Sequence, residues 1–123
     1  MTKAAALQNF FSGFSMKAYP TTAVPSGAEL PYLTYDPVFD SWEGGEVGIT
    51  VKLWFYTESE AVPNAKAQEL SEAIGRGGEV IPCDGGFIWL KRGSPWCRNI
   101  TDDVDRNIKC RDINVTAEYL TAN

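Results

Sequence analysis

The feature that most constrains the fold is a strict alternation of residue types between positions 47 and 56. Its odd positions are all apolar: Val47, Ile49, Val51, Leu53 and Phe55. Since successive side chains of a β-strand point to opposite sides of a sheet, this pattern predicts one long central strand with a fully apolar face. We expect the odd-numbered residues to lie in the core beneath a layer of helices. The even positions, which include Trp54 and Tyr56, must then point away from that layer.

Two segments have the three-and-four spacing of amphipathic helices. The first runs from Thr2, a plausible N-cap, to about Phe14. Its shared face carries Leu7, Phe10, Phe11 and Phe14. The second begins at Ser59 or Asn64, both good N-caps, and ends at Ile74, where a glycine-rich run stops it. Its predicted buried stripe is Ala67, Leu70 and Ile74, and its predicted solvent side is Lys66, Gln68, Ser71 and Glu72.

The remaining segments read as loops and strands. Three prolines make residues 19–31 an ordered loop, and an aromatic stretch from Pro31 extends towards Trp42. Asp84-Gly85 predicts a hairpin between residues 79–83 and 86–90, and Gly93-Ser94-Pro95 is expected to break its second strand. An acidic loop then leads to a final strand with Ile113, Val115, Ala117 and Tyr119 inward. These elements predict one α+β domain over residues 1–123, a mostly antiparallel sheet with two helices packed on one face.

Composition narrows the function. The chain contains no histidine, which removes the Ser-His-Asp and Cys-His nucleophile systems and the commonest general base. Its 16 acidic and 11 basic residues give a net charge of −5, the wrong sign for a domain that grips nucleic-acid backbone. We therefore expect no enzyme, no catalytic residues and no cofactor. We also expect no targeting or membrane-spanning segment, and thus a protein made in a cytoplasm.

The three cysteines, Cys83, Cys97 and Cys110, are odd in number and have no C-x-x-C spacing. A zinc site or a disulfide framework needs more ligands or an even count. We expect reduced thiols that bind no metal, with Cys83 and Cys110 at least partly buried.

Three further motifs are weak. From Asp103 the chain begins like a calcium loop, but the required Gly and Glu positions hold Ile108 and Asn114. The glycines at 75–78 close a helix instead of opening one, which excludes a phosphate-binding loop. Lys91-Arg92, near two tryptophans, has too few cations to anchor a nucleic-acid strand.

Three stretches of the chain, taken together, carry a family resemblance. The first joins Tyr19 and Val24-Pro25 to Pro31-Tyr32-Leu33-Thr34-Tyr35, and the second joins Trp54-Phe55-Tyr56 to Pro63-Asn64-Ala65-Lys66. The third runs from Cys83-Asp84-Gly85-Gly86 through Lys91-Arg92-Gly93-Ser94-Pro95 to Ile113-Asn114-Val115-Thr116-Ala117-Glu118-Tyr119. They resemble the small tail-completion proteins (tail terminator, or tail-to-head joining proteins) of long-tailed bacteriophages, often described as minor capsid proteins. The resemblance spans nearly the whole chain and carries no catalytic signature.

The resemblance implies a hexameric ring at the head-proximal end of the phage tail, assembled in the bacterial cytoplasm. Such a ring stops polymerisation of the tail-tube protein and offers a surface to the head connector protein, and DNA passes through its lumen without specific binding. Three alternatives remain. One is a head-completion (stopper) or minor capsid protein of the connector, and another is a small histidine-free enzyme that uses carboxylates. The third is a small-molecule or peptide-binding adaptor, which needs a concave apolar pocket that the sequence does not show.

A ring requires two different contact surfaces on each subunit, since each copy meets its neighbours head to tail. Trp54 and Tyr56, on the face turned away from the helices, are predicted to form one of them. The opposing possibility is that the loop at 19–31 folds across and covers both rings. Arg92 and Trp96, beside Pro95, are predicted to form the second surface.

Overall fold

The computed structural model describes all residues, 1–123, and contains two α-helices and one six-stranded sheet. The helices are α1 (Lys3–Phe11) and α2 (Ala61–Ile74). The strands are β1 (Lys17–Pro20), β2 (Tyr32–Tyr35), β3 (Glu46–Tyr56), β4 (Glu79–Cys83), β5 (Gly86–Thr101) and β6 (Ile108–Thr121). Their order in the sheet is β1-β2-β3-β6-β5-β4, and every neighbouring pair is antiparallel except β1 and β2. The predicted α+β class is confirmed.

The core lies between one face of the sheet and both helices. From β3 it takes Ile49, Val51, Leu53 and Phe55, each at most 4% exposed. The inward residues of β6 pair with them in register, Ile113 opposite Val51 and Val115 opposite Ile49. Leu7 and Phe11 from α1 and Leu70 and Ile74 from α2 belong to the same cluster of 20 buried residues. Period-two alternation therefore assigned the buried face correctly.

Helix α1 begins as predicted and ends earlier than predicted. The Thr2 hydroxyl accepts a hydrogen bond from the amide of Ala5, which makes Thr2 the N-cap. The helix stops at Phe11 and not near Phe14, because Ser12 and Gly13 are poor helix residues and the chain turns back there. Phe14 is nevertheless buried, so its place in the apolar stripe is correct.

Helix α2 starts at Ala61, whose amide donates to the Ser59 hydroxyl, and Pro63 lies in the first turn as required. The stripe of Ala67, Leu70 and Ile74 is buried. Ser71 was expected in water and is only 7% exposed. Strand β5 passes beneath this turn and places a guanidinium against the Ser71 hydroxyl, a contact that helix spacing alone does not reveal.

Three boundaries in the sheet differ from the sequence expectation. Residues 17–20 form an edge strand, β1, so the ordered loop begins at Thr21 and not at Tyr19. Strand β2 ends at Tyr35, and the extended stretch does not continue to Trp42 because Pro37 cannot donate to a ladder. Strand β5 is not broken at Gly93-Ser94-Pro95: those residues form a bulge between Arg92 and Cys97, and pairing with β6 resumes beyond it.

The hairpin between β4 and β5 is confirmed. Its turn is Asp84-Gly85, and Gly85 has a φ of +82°, a conformation that favours glycine. Neither helix of the protein is long and apolar enough to cross a membrane.

Candidate assembly surface

The two faces of the sheet differ in what covers them. Both α-helices pack on one face, and the other face, called here the open face, has no α-helix over it. An antiparallel sheet tolerates water on one side when that side is polar. The open face departs from this rule, because two groups of apolar side chains lie on it at opposite ends.

The first group, which we call the aromatic band, crosses five strands near the end of β3. Strand register places Tyr32, Trp54, Cys110 and Ile100 side by side in one row, and Tyr56 lies beside Ile108 in the next row. The ring of Tyr19 stacks edge-on against Tyr32, with ring centroids 5.8 Å apart. The band comprises Tyr19, Tyr32, Trp54, Tyr56, Ile100, Ile108 and Cys110.

The two predicted contact residues of the band are covered to different degrees. Trp54 is half-buried, and its indole Nε1 donates to the Thr34 hydroxyl at 3.2 Å. Thr21 and Val24, from the loop after β1, line a shallow cavity of about 370 Å³ beside the Trp54 ring. That loop therefore shields one side of Trp54. It leaves Tyr56 61% exposed, so the band is only partly covered.

Arg92 and Trp96, the residues predicted for a second contact surface, lie elsewhere. The guanidinium of Arg92 donates to the carbonyl of Gly75 and to the hydroxyl of Ser71, on the helix-covered side of the sheet. Trp96 is half-buried in the bulge of β5 and packs against the core. The structure thus does not bring these two residues together with Trp54 and Tyr56 on one surface.

The second apolar group on the open face, which we call the hairpin patch, was not predicted from the sequence. Strand register aligns Pro82, Phe87 and Leu120 in one row and Val80 and Trp89 in the next. Phe87 is 50% exposed and Val80 is 48% exposed. The sequence did contain a signal for this patch. A two-residue hairpin turn fixes the register of β4 and β5, and that register places Val80 and Phe87 on the same face as Trp89.

Polar and charged residues separate the two apolar groups. Lys91 Nζ lies 3.0 Å from a carboxylate oxygen of Glu46, 3.0 Å from one of Glu118, and 3.9 Å from the centre of the Trp89 ring. Partial burial lowers the pKa of Lys91, but the hydrogen bonds to both carboxylates outweigh it, and the pKa is above its usual value. Lys91 is therefore a fixed cation on this face.

A second charged row lies next to the aromatic band. Lys52, Asp112 and Arg98 are cross-strand neighbours on β3, β6 and β5. Neither cation approaches Asp112 within ion-pair distance, and the Oδ1 atom of Asp112 is buried without a hydrogen-bond partner. A buried carboxylate oxygen without a donor from the protein is unfavourable.

The three thiols are free. Cys83 and Cys97 are half-buried and Cys110 is buried, as expected for Cys83 and Cys110. Burial raises the pKa of all three thiols, and that of Cys110 to about 11. No group of three or more Cys, Asp or Glu side chains is placed to hold a metal ion.

The acidic loop between β5 and β6 uses its carboxylates to shape its own backbone. Asp102 Oδ1 accepts hydrogen bonds from the amides of Val104 and Asp105, at 2.8 and 2.9 Å. These bonds lower the pKa of Asp102. Asp105 Oδ1 accepts one from the amide of Asn107. Such turn-forming contacts are the ordinary use of Asp in a loop.

Comparisons of the chain with protein-family models, with curated proteins and with solved structures found no match. The assignment of a function therefore depends on this surface and on the sequence resemblance.

Proposed function

We propose that the protein is a structural subunit of a long-tailed bacteriophage that forms a ring at the head-proximal end of the tail. The observation that supports this function best is the open face of the sheet. It presents exposed aromatic rings on a rigid six-stranded scaffold whose other face is already filled by the helices.

Exposed aromatic rings of this kind are typical of contact surfaces. Tyr and Trp are enriched among the residues that contribute most to protein association, because they bury large areas at a low entropic cost. In the aromatic band they share strands with core residues, so their positions are fixed before any partner arrives. A preorganised surface loses less entropy on binding than a flexible one.

In the proposed ring the chain acts by assembly and has no catalytic residues and no cofactor. Its partners are further copies of itself as a homo-hexamer, the tail-tube protein, and the head connector protein. The net charge of −5 suits a ring through which DNA slides without specific binding. The ring belongs to the virion, and its subunits are made in the host cytoplasm.

The test is a double variant, Trp54→Ala with Tyr56→Ala, introduced into the phage that encodes the chain. We expect the wild-type protein to have a solution mass near six times the 13.5 kDa of one chain. The double variant should lose this assembly and give tails of abnormal length that do not join heads. The matched control is Val62→Ala, which removes an apolar side chain that is 55% exposed on α2.

Normal rings and normal tails from the double variant would contradict the assembly role of this face. Tails of normal length beside heads that lose their DNA would instead indicate a stopper of the connector. Deletion of the gene with no effect on particles would contradict a virion function altogether.

A further inference from the structure

One stretch of β5 has no neighbouring strand on one of its two sides. Strand β4 pairs with β5 only as far as Leu90, whereas β5 continues to Thr101. On its other side β5 remains paired with β6 from Cys97 to Thr101. Residues 97–101, called here the free edge, therefore have a strand on one side only, and residues 98–101 are exposed.

The hydrogen-bond pattern shows which main-chain groups of the free edge lack partners. The amide of Asp102 donates to the carbonyl of Ile108 on β6. Since every second residue of an antiparallel strand bonds to a given neighbour, Arg98 and Ile100 also bond to β6. The residues that alternate with them direct N–H and C=O away from β6, and no main-chain hydrogen bond within the chain reaches those groups. These outward residues are Cys97, Asn99 and Thr101.

The two outermost strands of the sheet are protected in ways that the free edge is not. Strands β1 and β4 have only four and five residues, and each contains a proline, Pro20 and Pro82. The side chain of Gln8 also donates to the carbonyl of Ala18 on β1, at 2.9 Å. Short edges with proline resist pairing with another chain. The free edge contains no proline, so it is the part of the sheet best suited to accept a strand.

We propose that the free edge pairs antiparallel with the same edge of a second copy, about a two-fold axis at Asn99. In this register Asn99 lies opposite Asn99 of the second copy, and Cys97 lies opposite Thr101. Each of the three opposed pairs of outward residues then exchanges two main-chain hydrogen bonds. No other two-fold register uses all three outward residues. The inference does not rest on the proposed ring, which uses the open face.

The side chains of the free edge also fit their symmetry mates. Directly opposite residues of an antiparallel pair share a face of the sheet. On the open face Arg98 lies opposite Ile100 of the second copy, and its aliphatic stem can cover that side chain, which is 38% exposed. On the helix-covered face the Asn99 amide can both donate to and accept from its mate. Apolar area and polar groups therefore each find a suitable neighbour.

The charges on the paired residues set no barrier to this contact. Arg98 is the only charged residue among positions 97–101, and Asp112 of its own chain lies beside it on β6. Across the contact its diagonal neighbours are Arg98 and Asp102 of the second copy, one of each sign. Like charges directly opposite each other, the unfavourable arrangement, are absent. The loop beyond the paired residues carries three further charges: Asp103, Asp105 and Arg106.

The helix layer leaves room for the second copy. Helix α2 packs on β3, β6 and β5, so it lies over β6, the middle strand of the three. In the joined sheet the two β6 strands are three strand spacings apart, about 14 Å. Packed helices approach to about 10 Å, so the α2 helices of the two copies do not collide.

The first test is sedimentation of the full chain carrying Tyr56→Ala, which weakens the proposed ring and leaves the free edge intact. We expect this chain to pair reversibly, to twice the 13.5 kDa of one chain, between about 10 μM and about 1 mM. The further substitution Asn99→Pro removes the N–H of the central pair and should weaken pairing at least about 10-fold. The monomer tolerates this proline because that N–H has no partner within the chain.

The matched control is Asn99→Ala, which removes the same side chain and keeps the N–H. It should pair within about threefold of the parent chain. Urea denaturation should show both variants folded.

The second test reads the register directly, by amide hydrogen exchange of the Tyr56→Ala chain followed by NMR. The amides of Arg98 and Ile100 bond to β6 and should be protected at every concentration. The amides of Cys97, Asn99 and Thr101 should exchange fast in the monomer and at least about 10-fold more slowly in the paired chain.

Outward amides whose exchange does not change with concentration would overturn the proposal, as would equal association of Asn99→Pro and Asn99→Ala. Protection of these amides only after addition of the tail-tube protein would show that another protein supplies the strand, which also overturns pairing with a second copy. Failure of the wild type to form rings would contradict the proposed function and leave this inference standing, because both tests use a chain whose ring contact is weakened.

Discussion

The two faces of this sheet share their strands and differ in how completely their groups are satisfied. On the helix-covered face even a guanidinium is buried: Arg111 is 1% exposed and paired. It donates to Glu60 at 2.9 Å and to Asn64 at 3.0 and 3.2 Å, all at the start of α2. On the open face the Oδ1 atom of Asp112, the next residue, is buried without a donor, and Tyr56 and Phe87 are half or more exposed.

This difference indicates which face has finished its interactions within one chain. The covered face has apolar partners for its apolar groups and hydrogen-bond partners for the Arg111 charge, and the buried group without a partner that packs against it is neutral, the indole Nε1 of Trp96. The open face keeps aromatic area in water and a carboxylate oxygen without a donor. The covered face therefore provides stability, and in the proposed ring the open face provides association.

The largest effect expected from this comparison is on stability. Leu53→Ala removes a side chain that is 1% exposed on the covered face and should lower the free energy of unfolding by about 2–5 kcal/mol. Its control is Thr50→Ala, on the open face of the same strand, with an expected cost of at most about 1 kcal/mol. Urea denaturation of both variants measures the difference. A cost below about 1 kcal/mol for Leu53→Ala would mean that the face is not the core.

The covered face was largely predictable because one strong periodic signal fixed it. Alternation in β3 sets the inward face, β6 follows it in register, and the helical stripes of Leu7 and Leu70 complete the layer. What could not be predicted depends on contacts between distant segments. The burial of Ser71 and Arg111 follows from the way α2 crosses β5 and β6, which no local pattern contains.

The open face was predictable only in part. The position of Trp54 and Tyr56 follows directly from the alternation in β3. Arg92 and Trp96 flank a proline that signals an interruption in the strand but not its form. The strand accommodates the proline by a bulge and is not broken there, so Arg92 stays in the strand and its guanidinium reaches the end of α2. Prediction of the hairpin patch requires the register of β4, β5 and β6 together, because its members lie far apart in the chain.

A second prediction sharpens the comparison, because Cys110 lies on the open face and is as buried as the residues of the core. Cys110 lies between Trp54 and Ile100 and is 2% exposed, and burial raises its pKa from 9.0 to about 11. As pH rises from 9 to 11 the unfolded chain loses this proton before the folded chain does, so the free energy of unfolding falls. The loss due to Cys110 should reach up to about 2 kcal/mol.

Denaturation curves of the wild type and of Cys110→Ala between pH 8 and pH 11 measure this effect. The variant should lose less stability over that range, although Tyr119, whose pKa burial raises to about 12, still contributes in both proteins above pH 10. Parallel pH profiles for the two proteins would show that the Cys110 thiol is exposed to water. In that case Trp54 and Ile100 do not close over it.

The smallest expected effect on stability is also the one that separates the two faces best. Tyr56→Ala alone removes a ring that is 61% exposed, so the free energy of unfolding should change by less than about 1 kcal/mol. Assembly should nevertheless weaken strongly, because in the proposed ring the side chain of Tyr56 contributes to contact with another copy and not to the core. Thermal denaturation at a concentration where the wild type is monomeric isolates the free energy of unfolding, and sedimentation at a higher concentration measures assembly.

A variant that loses stability and keeps its assembly would reverse the roles inferred for the two faces. If both quantities stay unchanged, Tyr56 lies outside the contact, and the aromatic band must bind through Trp54 and its neighbours on β2.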